Sequence, residues 1–474
     1  MRILKMAVIL IISAIFIFTA WSAAAMELKA GAAKAVITPS DYQGRISVMG
    51  GALKGKEHDI YARALSLNDG SKRLVIVTYD LNCLDVATPI LRSRLKAELG
   101  IDPAYFVPLA THNHAAPIQI VPANFDYGRW LADKSFDLIK EAIANEQGPV
   151  KLYFGIGHSD LVRGDPRYPG IYGLTGKPID DEVQVLKVMA GDKVIAILFN
   201  QATHPLHESL TDVAVGHPGY AMEELERRFP AALAMYADAC GGDQMIRAAL
   251  VMYASNSKVQ AVGKELAETV LKISEGQMKE VTGVIASKLE VISLPLAAPM
   301  SYEDALALVK KDKIPTDIGF VPYPDPDRDT NWVRALIQHY EQKLAFPTRS
   351  DDYECTDDAF LVKKLPEPRE FPCRYEETIT AKIGPMVLVA MQGEVCAPIG
   401  KAIKNKFNND PPLMVFAYMG EHNLYIPTRN LVERNAYQAQ VIQIQYASPV
   451  GWSPEVEDEM VKGVERMINK LIEQ

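Results

Sequence analysis

Ala62-Arg63-Ala64-Leu65-Ser66-Leu67-Asn68-Asp69-Gly70-Ser71-Lys72-Arg73-Leu74-Val75-Ile76-Val77-Thr78-Tyr79-Asp80 is the stretch on which the architecture turns. Its two apolar runs, 62–67 and 74–80, flank Asn68-Asp69-Gly70-Ser71, and a short polar turn between such runs predicts a β-hairpin. A helical pattern follows over 88–99, with Ile90, Leu91, Leu95 and Leu99 on one side and Gly100 as its stop. The β-branched and apolar run 106–110 then closes a hairpin–helix–strand unit.

The same succession recurs twice. Runs 183–189 and 194–200 turn at Gly191-Asp192 and precede a helix near 219–229 and a strand at 232–236. Runs 377–383 and 386–391 turn at Gly384-Pro385 and precede a helix near 398–407 and a strand at 413–418. The expected fold is therefore α/β, a mixed β-sheet core with helices built from recurring hairpin–helix–strand units. Between the units lie helices near 131–145 and 259–273 and a long strand near 282–294. A loop insertion is expected over about 312–373, with a helix near 331–343 inside it, and an amphipathic helix at 454–471 packs on a sheet edge.

The bulk composition bounds function by exclusion. A hydrophobic share of 48% with 23% charged residues is that of a folded globular chain. The net charge of −9 argues against nucleic acid as the main partner and against a polybasic membrane patch; a small-molecule or lipid substrate and peripheral contact with a membrane surface are separate expectations. There is no phosphate loop, dinucleotide fingerprint or Gly-x-Ser-x-Gly elbow. Arg2 and Lys5, an apolar run over 6–20 and Ala23-Ala24-Ala25 have the layout of a secretory signal peptide. Residues 1–25 are thus expected to direct export to the periplasm or outside, or to anchor the chain in the membrane; 26–474 would be a single catalytic domain. Of five cysteines, Cys355 and Cys373 are the expected disulfide pair, and Cys83, Cys240 and Cys396 are read as small buried residues near site segments.

The repeat places polar residues at corresponding strand ends. Second hairpin strands lead to Asp80, His204 and Glu394; closing strands lead to His112, Asp243 and Tyr425. His112 and His114 are spaced i, i+2, which on a true strand puts both rings on one face. His112, His204, Glu394 and Tyr425 match the inventory of a catalytic zinc site, three or four N or O ligands with a position left for water. Bound zinc lowers the pKa of its water to about 7, and a ligating phenol would have to fall from about 10. His114 and Asp243 are expected one layer out, orienting ligands or moving protons, with Asp80 a candidate for the same layer. His158, His207 and His217 read as polar loop residues and His339 as a helix residue. Gly241-Gly242 is either an anion-binding turn or a plain one.

Several short segments occur in an order that resembles the catalytic domain of the neutral/alkaline, non-lysosomal ceramidases, zinc amidohydrolases that cleave the N-acyl bond of ceramide. They are Ala33-Lys34-Ala35-Val36-Ile37-Thr38-Pro39, Tyr61-Ala62-Arg63-Ala64-Leu65, Thr111-His112-Asn113-His114, Ala202-Thr203-His204-Pro205, Gly242-Asp243, Gly393-Glu394 and Tyr425-Ile426-Pro427-Thr428. The resemblance implies one zinc per chain on His112, His204, Glu394 and Tyr425, with His114 touching the substrate or its attacking water. It implies that Arg163 and Arg167 line the pocket, and it puts Gly241 on the substrate side. The chain also departs from the pattern. The family's His-Thr-His-Ser-Gly-Pro is here His112-Asn113-His114-Ala115-Ala116-Pro117, its serine before Gly-Asp is Gly241, and its Tyr-Glu is Tyr437-Gln438. No segment matches the family's C-terminal immunoglobulin-like domain, so a shorter, divergent member is expected. The implied activity is cleavage of an N-acyl bond in a ceramide-like or other N-acylated lipid by zinc-bound water. The altered positions keep two alternatives open, a non-catalytic lipid- or ligand-binding protein and a zinc hydrolase of esters or sugar amides.

Overall fold

An apolar run such as 74–79 can only be stable as a strand if both of its faces are covered. The computed structural model describes residues 27–48, 51–119, 121–165, 179–209, 211–248, 252–310, 326–344, 373–420, 424–444 and 448–473. In it, Leu74 and Ile76 point into a core shared by the whole molecule, while Val75, Val77 and Tyr79 pack under the helices of their own unit. The corresponding strands of the other units alternate in the same way. Leu198 faces the shared core with Ile197 and Phe199 outward, and Leu388 and Ala390 face it with Val387 and Val389 outward.

Each unit is larger than a hairpin, a helix and a strand. The first runs β1 (Lys29–Val36), β2 (Tyr61–Asn68), β3 (Arg73–Tyr79), α1 (Ala87–Leu99), β4 (Phe106–Ala110) and α2 (Phe125–Ala144). The second runs β5 (Lys151–His158), β6 (Glu182–Ala190), β7 (Lys193–Gln201), α3 (Gly216–Arg228), β8 (Leu233–Tyr236) and α4 (Asn256–Glu275). The third runs β9 (Ile285–Pro295), β10 (Cys373–Ile383), β11 (Met386–Met391), α5 (Ala397–Phe407), β12 (Leu413–Phe416) and α6 (Val456–Ile472). In every unit the strands pair in chain order, antiparallel, antiparallel, then parallel. The parallel step is the one bridged by a helix, as a crossover requires.

The three closing strands meet in a ring of backbone hydrogen bonds. Ala110 N donates to Tyr418 O (3.2 Å), Asp238 N to Ala110 O (3.3 Å), and Ala417 N to Asp238 O (3.1 Å). Loops leaving these strands are thereby held at one end of the molecule, where chains beyond strand ends commonly build sites.

The insertion holds the helix Pro326–Gln342, whose Trp332, Val333 and Leu336 pack with Ala305 and Ile444. Helix α6 lies over β9, with Gly463 directly against Ile292. The expected N-terminal signal, Cys355 and Arg167 fall outside the described residues. Cys373 is buried, and no helix among the described residues is long and apolar enough to cross a membrane.

Candidate metal centre

The chain leaves β4 at Ala110, and Thr111 N still donates to Tyr79 O at 2.9 Å. His112 then takes a φ of +52°, a left-handed backbone that non-glycine residues seldom adopt outside sites that enforce it. Asn113 pins the turn: its Nδ2 donates to the carbonyls of Asp80 (3.0 Å) and Ala214 (2.7 Å), and its Oδ1 accepts from Ala115 N (2.8 Å). The His112 and His114 rings converge edge-on, with Nε2 atoms 3.0 Å apart. Strand alternation was the expected cause of this convergence. The left-handed residue is the actual one, because the strand has ended before the histidines begin.

His204 comes from the segment after β7. Its backbone N donates to Gln244 O (2.8 Å), and its Nδ1 lies 2.9 Å from Gly241 O. A carbonyl only accepts, so Nδ1 carries the proton and Nε2 presents a lone pair. Gly241 has no room for a side chain, since a Cβ there would sit 2.6 Å from Thr203 N. Glu394 and Tyr425 are direct partners in a two-residue parallel pairing of Glu394–Val395 with Tyr425–Ile426. Gly393, at φ +88°, turns the chain into that pairing.

These residues share one buried spot. His204 Nε2 is 3.0 Å from Tyr425 Oη, and Glu394 Oε2 is 3.3 Å from His112 Nε2 and 3.4 Å from His204 Nε2. None of His112, His114, His204, Glu394 or Tyr425 is more than 8% exposed. Glu394 Oε2 is buried and makes no aligned hydrogen bond, so its contacts with the rings are electrostatic. The Tyr425 hydroxyl can donate to the His204 lone pair, while Glu394 Oε2 is left among ring nitrogens with no aligned donor. The set fits a metal ion. The nearest ligand atoms of His112, His114 and His204 lie within 4.8 Å of one another, and imidazole with carboxylate suits zinc and its neighbours.

Burial raises the Glu394 carboxyl, but His112 and His204 outweigh it and hold it well below the usual range. Burial, and then the charges of His112, His207 and His204, push the His114 imidazole well below its ordinary value, so that ring is neutral near pH 7. Its Nδ1 is buried without a hydrogen-bond partner.

The structure brings His112, His204, Glu394 and Tyr425 together, and His114 stands among them, closer than the outer position expected of it. Asp243 Oδ1 accepts Ala397 N at 2.6 Å, at the start of α5, and its neighbour Gly242 donates its N–H to Val395 O (3.0 Å), beside Glu394. Asp80 is bound by Arg63 Nη1 (2.8 and 2.9 Å) and Tyr61 N (2.9 Å) and takes no part in the cluster. Gly241 stands behind His204, and Arg163 lies on the short strand Val162–Gly164, paired with Gln244–Ile246. Cys83, Cys240 and Cys396 are buried outside the imidazole cluster, as small core residues are.

Sequence reasoning does not place four neighbours at the site. His207 Nε2 accepts His114 N (3.2 Å) and its ring stacks on His114, whereas the sequence reads His207 and His217 as loop polars. His217 is buried on α3 with its imidazole pushed down to about 3 by burial, and its Nδ1 accepts Leu206 N (3.0 Å). The i, i+3 spacing in His204-Pro205-Leu206-His207 was the available signal. Asn82 Nδ2 lies 2.9 Å from His112 Nδ1, and the Tyr418 ring packs 4.3 Å from the His112 ring. Nothing in the sequence marked either one.

Fold and site together define an α/β protein with a buried imidazole–carboxylate centre at the convergence of three repeated units. No family model matches the chain, and no curated protein does. Among solved structures it is similar to a neutral ceramidase from Pseudomonas aeruginosa, with a TM-score of 0.66, 16% identity, and coverage of 92% of this chain and 73% of that one. A ceramidase complexed with C2 gives a TM-score of 0.65 at 16% identity, over 92% of this chain and 74% of that one. The chain thus has the fold of the neutral ceramidases over nearly its whole length.

Proposed function

We propose that this protein is an exported, zinc-dependent amidohydrolase that cleaves the N-acyl bond of a ceramide-like or other N-acylated lipid. The observation that carries the reading is the convergence of His112, His204, Glu394 and Tyr425, from segments more than 300 residues apart, on one buried point. The ceramidase fold and the ordered short motifs support it. One zinc ion would be held by those four residues. When bound, zinc supplies Lewis-acid polarisation and makes water acidic enough to act near neutral pH.

The chain's own part is positioning and proton handling. Gly241 O fixes His204 with Nε2 toward the centre. Neutral His114, with an unpartnered Nδ1, is placed to accept a proton or to bind a substrate hydroxyl or amide beside the reacting carbon. Burial keeps bulk water from competing for these contacts. Arg163 and Arg167 remain proposed contacts of the substrate, and Asp243 a proposed outer proton carrier.

A second reading is a non-catalytic lipid-binding protein, favoured by the packing of Gly241 against Thr203, which excludes any side chain where the family has serine. Hydrolysis of an N-acyl-sphingosine and of simpler N-acyl amines and esters separates the readings. Fatty-acid release that is abolished by a chelator and restored by zinc is expected. His112→Ala is expected to lose both bound zinc and turnover. No release from any acyl substrate by zinc-loaded protein would sink the hydrolase reading.

A further inference from the structure

The outer nitrogens of the two converging histidines meet different partners. His204 Nδ1 faces a carbonyl, so its tautomer is fixed in every state. His112 Nδ1 faces the Asn82 side-chain amide, which can present either a donor or an acceptor. Asn82 is buried, 3% exposed, and its Nδ2 is the group toward Nδ1, while its Oδ1 is buried with no hydrogen-bond partner. With Nδ2 donating, His112 Nδ1 is the acceptor and the ring proton sits on Nε2, facing Glu394 Oε2 at 3.3 Å. That arrangement is consistent for a centre without a cation. A cation on His112 Nε2 requires the other tautomer, with the proton on Nδ1, and an acceptor at Asn82, 2.9 Å away, would hold it.

We infer that Asn82 is a positioning residue whose amide turns over when the centre takes up a divalent cation, so that Oδ1 accepts from His112 Nδ1–H. The inference rests on the metal reading above. The ring keeps one proton throughout: one leaves Nε2 to solvent and one is taken up at Nδ1. The backbone around the ring leaves little freedom for another answer. His112 is held at φ +52°, its ring lies against Tyr418, and Asn113 N donates to Leu81 O at 3.1 Å. The ring therefore cannot swing to another outer partner without undoing the turn.

The test uses the full chain labelled with 15N at histidine, with and without zinc. Two-bond 1H–15N correlations are expected to show His112 passing from Nε2–H to Nδ1–H on zinc addition. In chelator competition, Asn82→Leu is expected to bind zinc about 10–100-fold more weakly. Asn82→Asp, whose carboxylate can only accept, is expected to bind at least as tightly as the wild type. The same His112 tautomer with and without zinc, or wild-type affinity in Asn82→Leu, overturns the inference and leaves the metal reading standing. A wild-type chain that takes up no zinc overturns both. The wild-type spectrum and the Asn82→Asp affinity decide the matter even where Asn82→Leu does not fold.

Discussion

Asp80 and Glu394 both follow the second strand of a hairpin, and both are buried, yet they are satisfied in opposite ways. Asp80 spends its oxygens on Arg63 and on the Tyr61 amide, a closed ion pair in which both side chains are at most 2% exposed. Glu394 leaves Oε2 among imidazoles. Removing one partner of a buried pair leaves the other charge uncompensated, which costs about 3–5 kcal/mol. Asp80→Ala is therefore expected to lower unfolding free energy by about that amount in urea titration, with zinc stoichiometry unchanged in whatever remains folded. Glu394→Gln is expected to do the reverse, losing bound zinc with a smaller change in stability. Sequence position alone could not separate the two, because the partner of Asp80 lies 17 residues upstream across the hairpin.

At the scale of elements, most of the architecture was legible. Alternation and unbroken apolar runs betray strands buried on both faces, Gly100 marks the end of α1 in the left-handed conformation, and Gly-containing turns set the hairpins. Strand β1 has no local mark of belonging to a unit, since its pairing with β2 is long-range. Strand periodicity would put His112 and His114 on one face, whereas here one left-handed backbone angle aims the ring. Asp243 shows how a candidate site residue can also serve an element. Its carboxylate satisfies an otherwise unpaired amide at the N-terminus of α5, a contribution of about 1 kcal/mol. Asp243→Ala is expected to lower the melting temperature by a few degrees. If turnover in Asp243→Asn matches the wild type, the proton role proposed for it is gone.

At the scale of the molecule, three copies of one pairing pattern share a core and are tied by the Ala110–Asp238–Ala417 ring. Repetition gives six strand ends at one place, and this is what allows four distant side chains to share a point without any local motif. The repeat was visible in the sequence because each copy keeps its hairpin turn; the ring was not, because it is made of backbone atoms. Acid should loosen this assembly in a defined way. Burial raises the Glu146 carboxyl, but Arg73, Asn68 and Ser66 outweigh it and hold it below its ordinary value. A depressed carboxyl lends stability that is complete above its unfolded value of about 4.3 and is lost as pH falls through the lower folded value. Melting temperature is thus expected to drop below about pH 4, with a shallower acid limb in Glu146→Gln, measured by circular dichroism across pH.

The central claim is that one cation joins side chains from three units. Crystals of the full chain grown with zinc, measured on either side of the zinc absorption edge, test it most directly. The account predicts a single strong anomalous peak at about 2.0–2.2 Å from the Nε2 atoms of His112 and His204 and from oxygens of Glu394 and Tyr425. A zinc-treated crystal with no peak among these four residues, or with its zinc bound elsewhere, would contradict it.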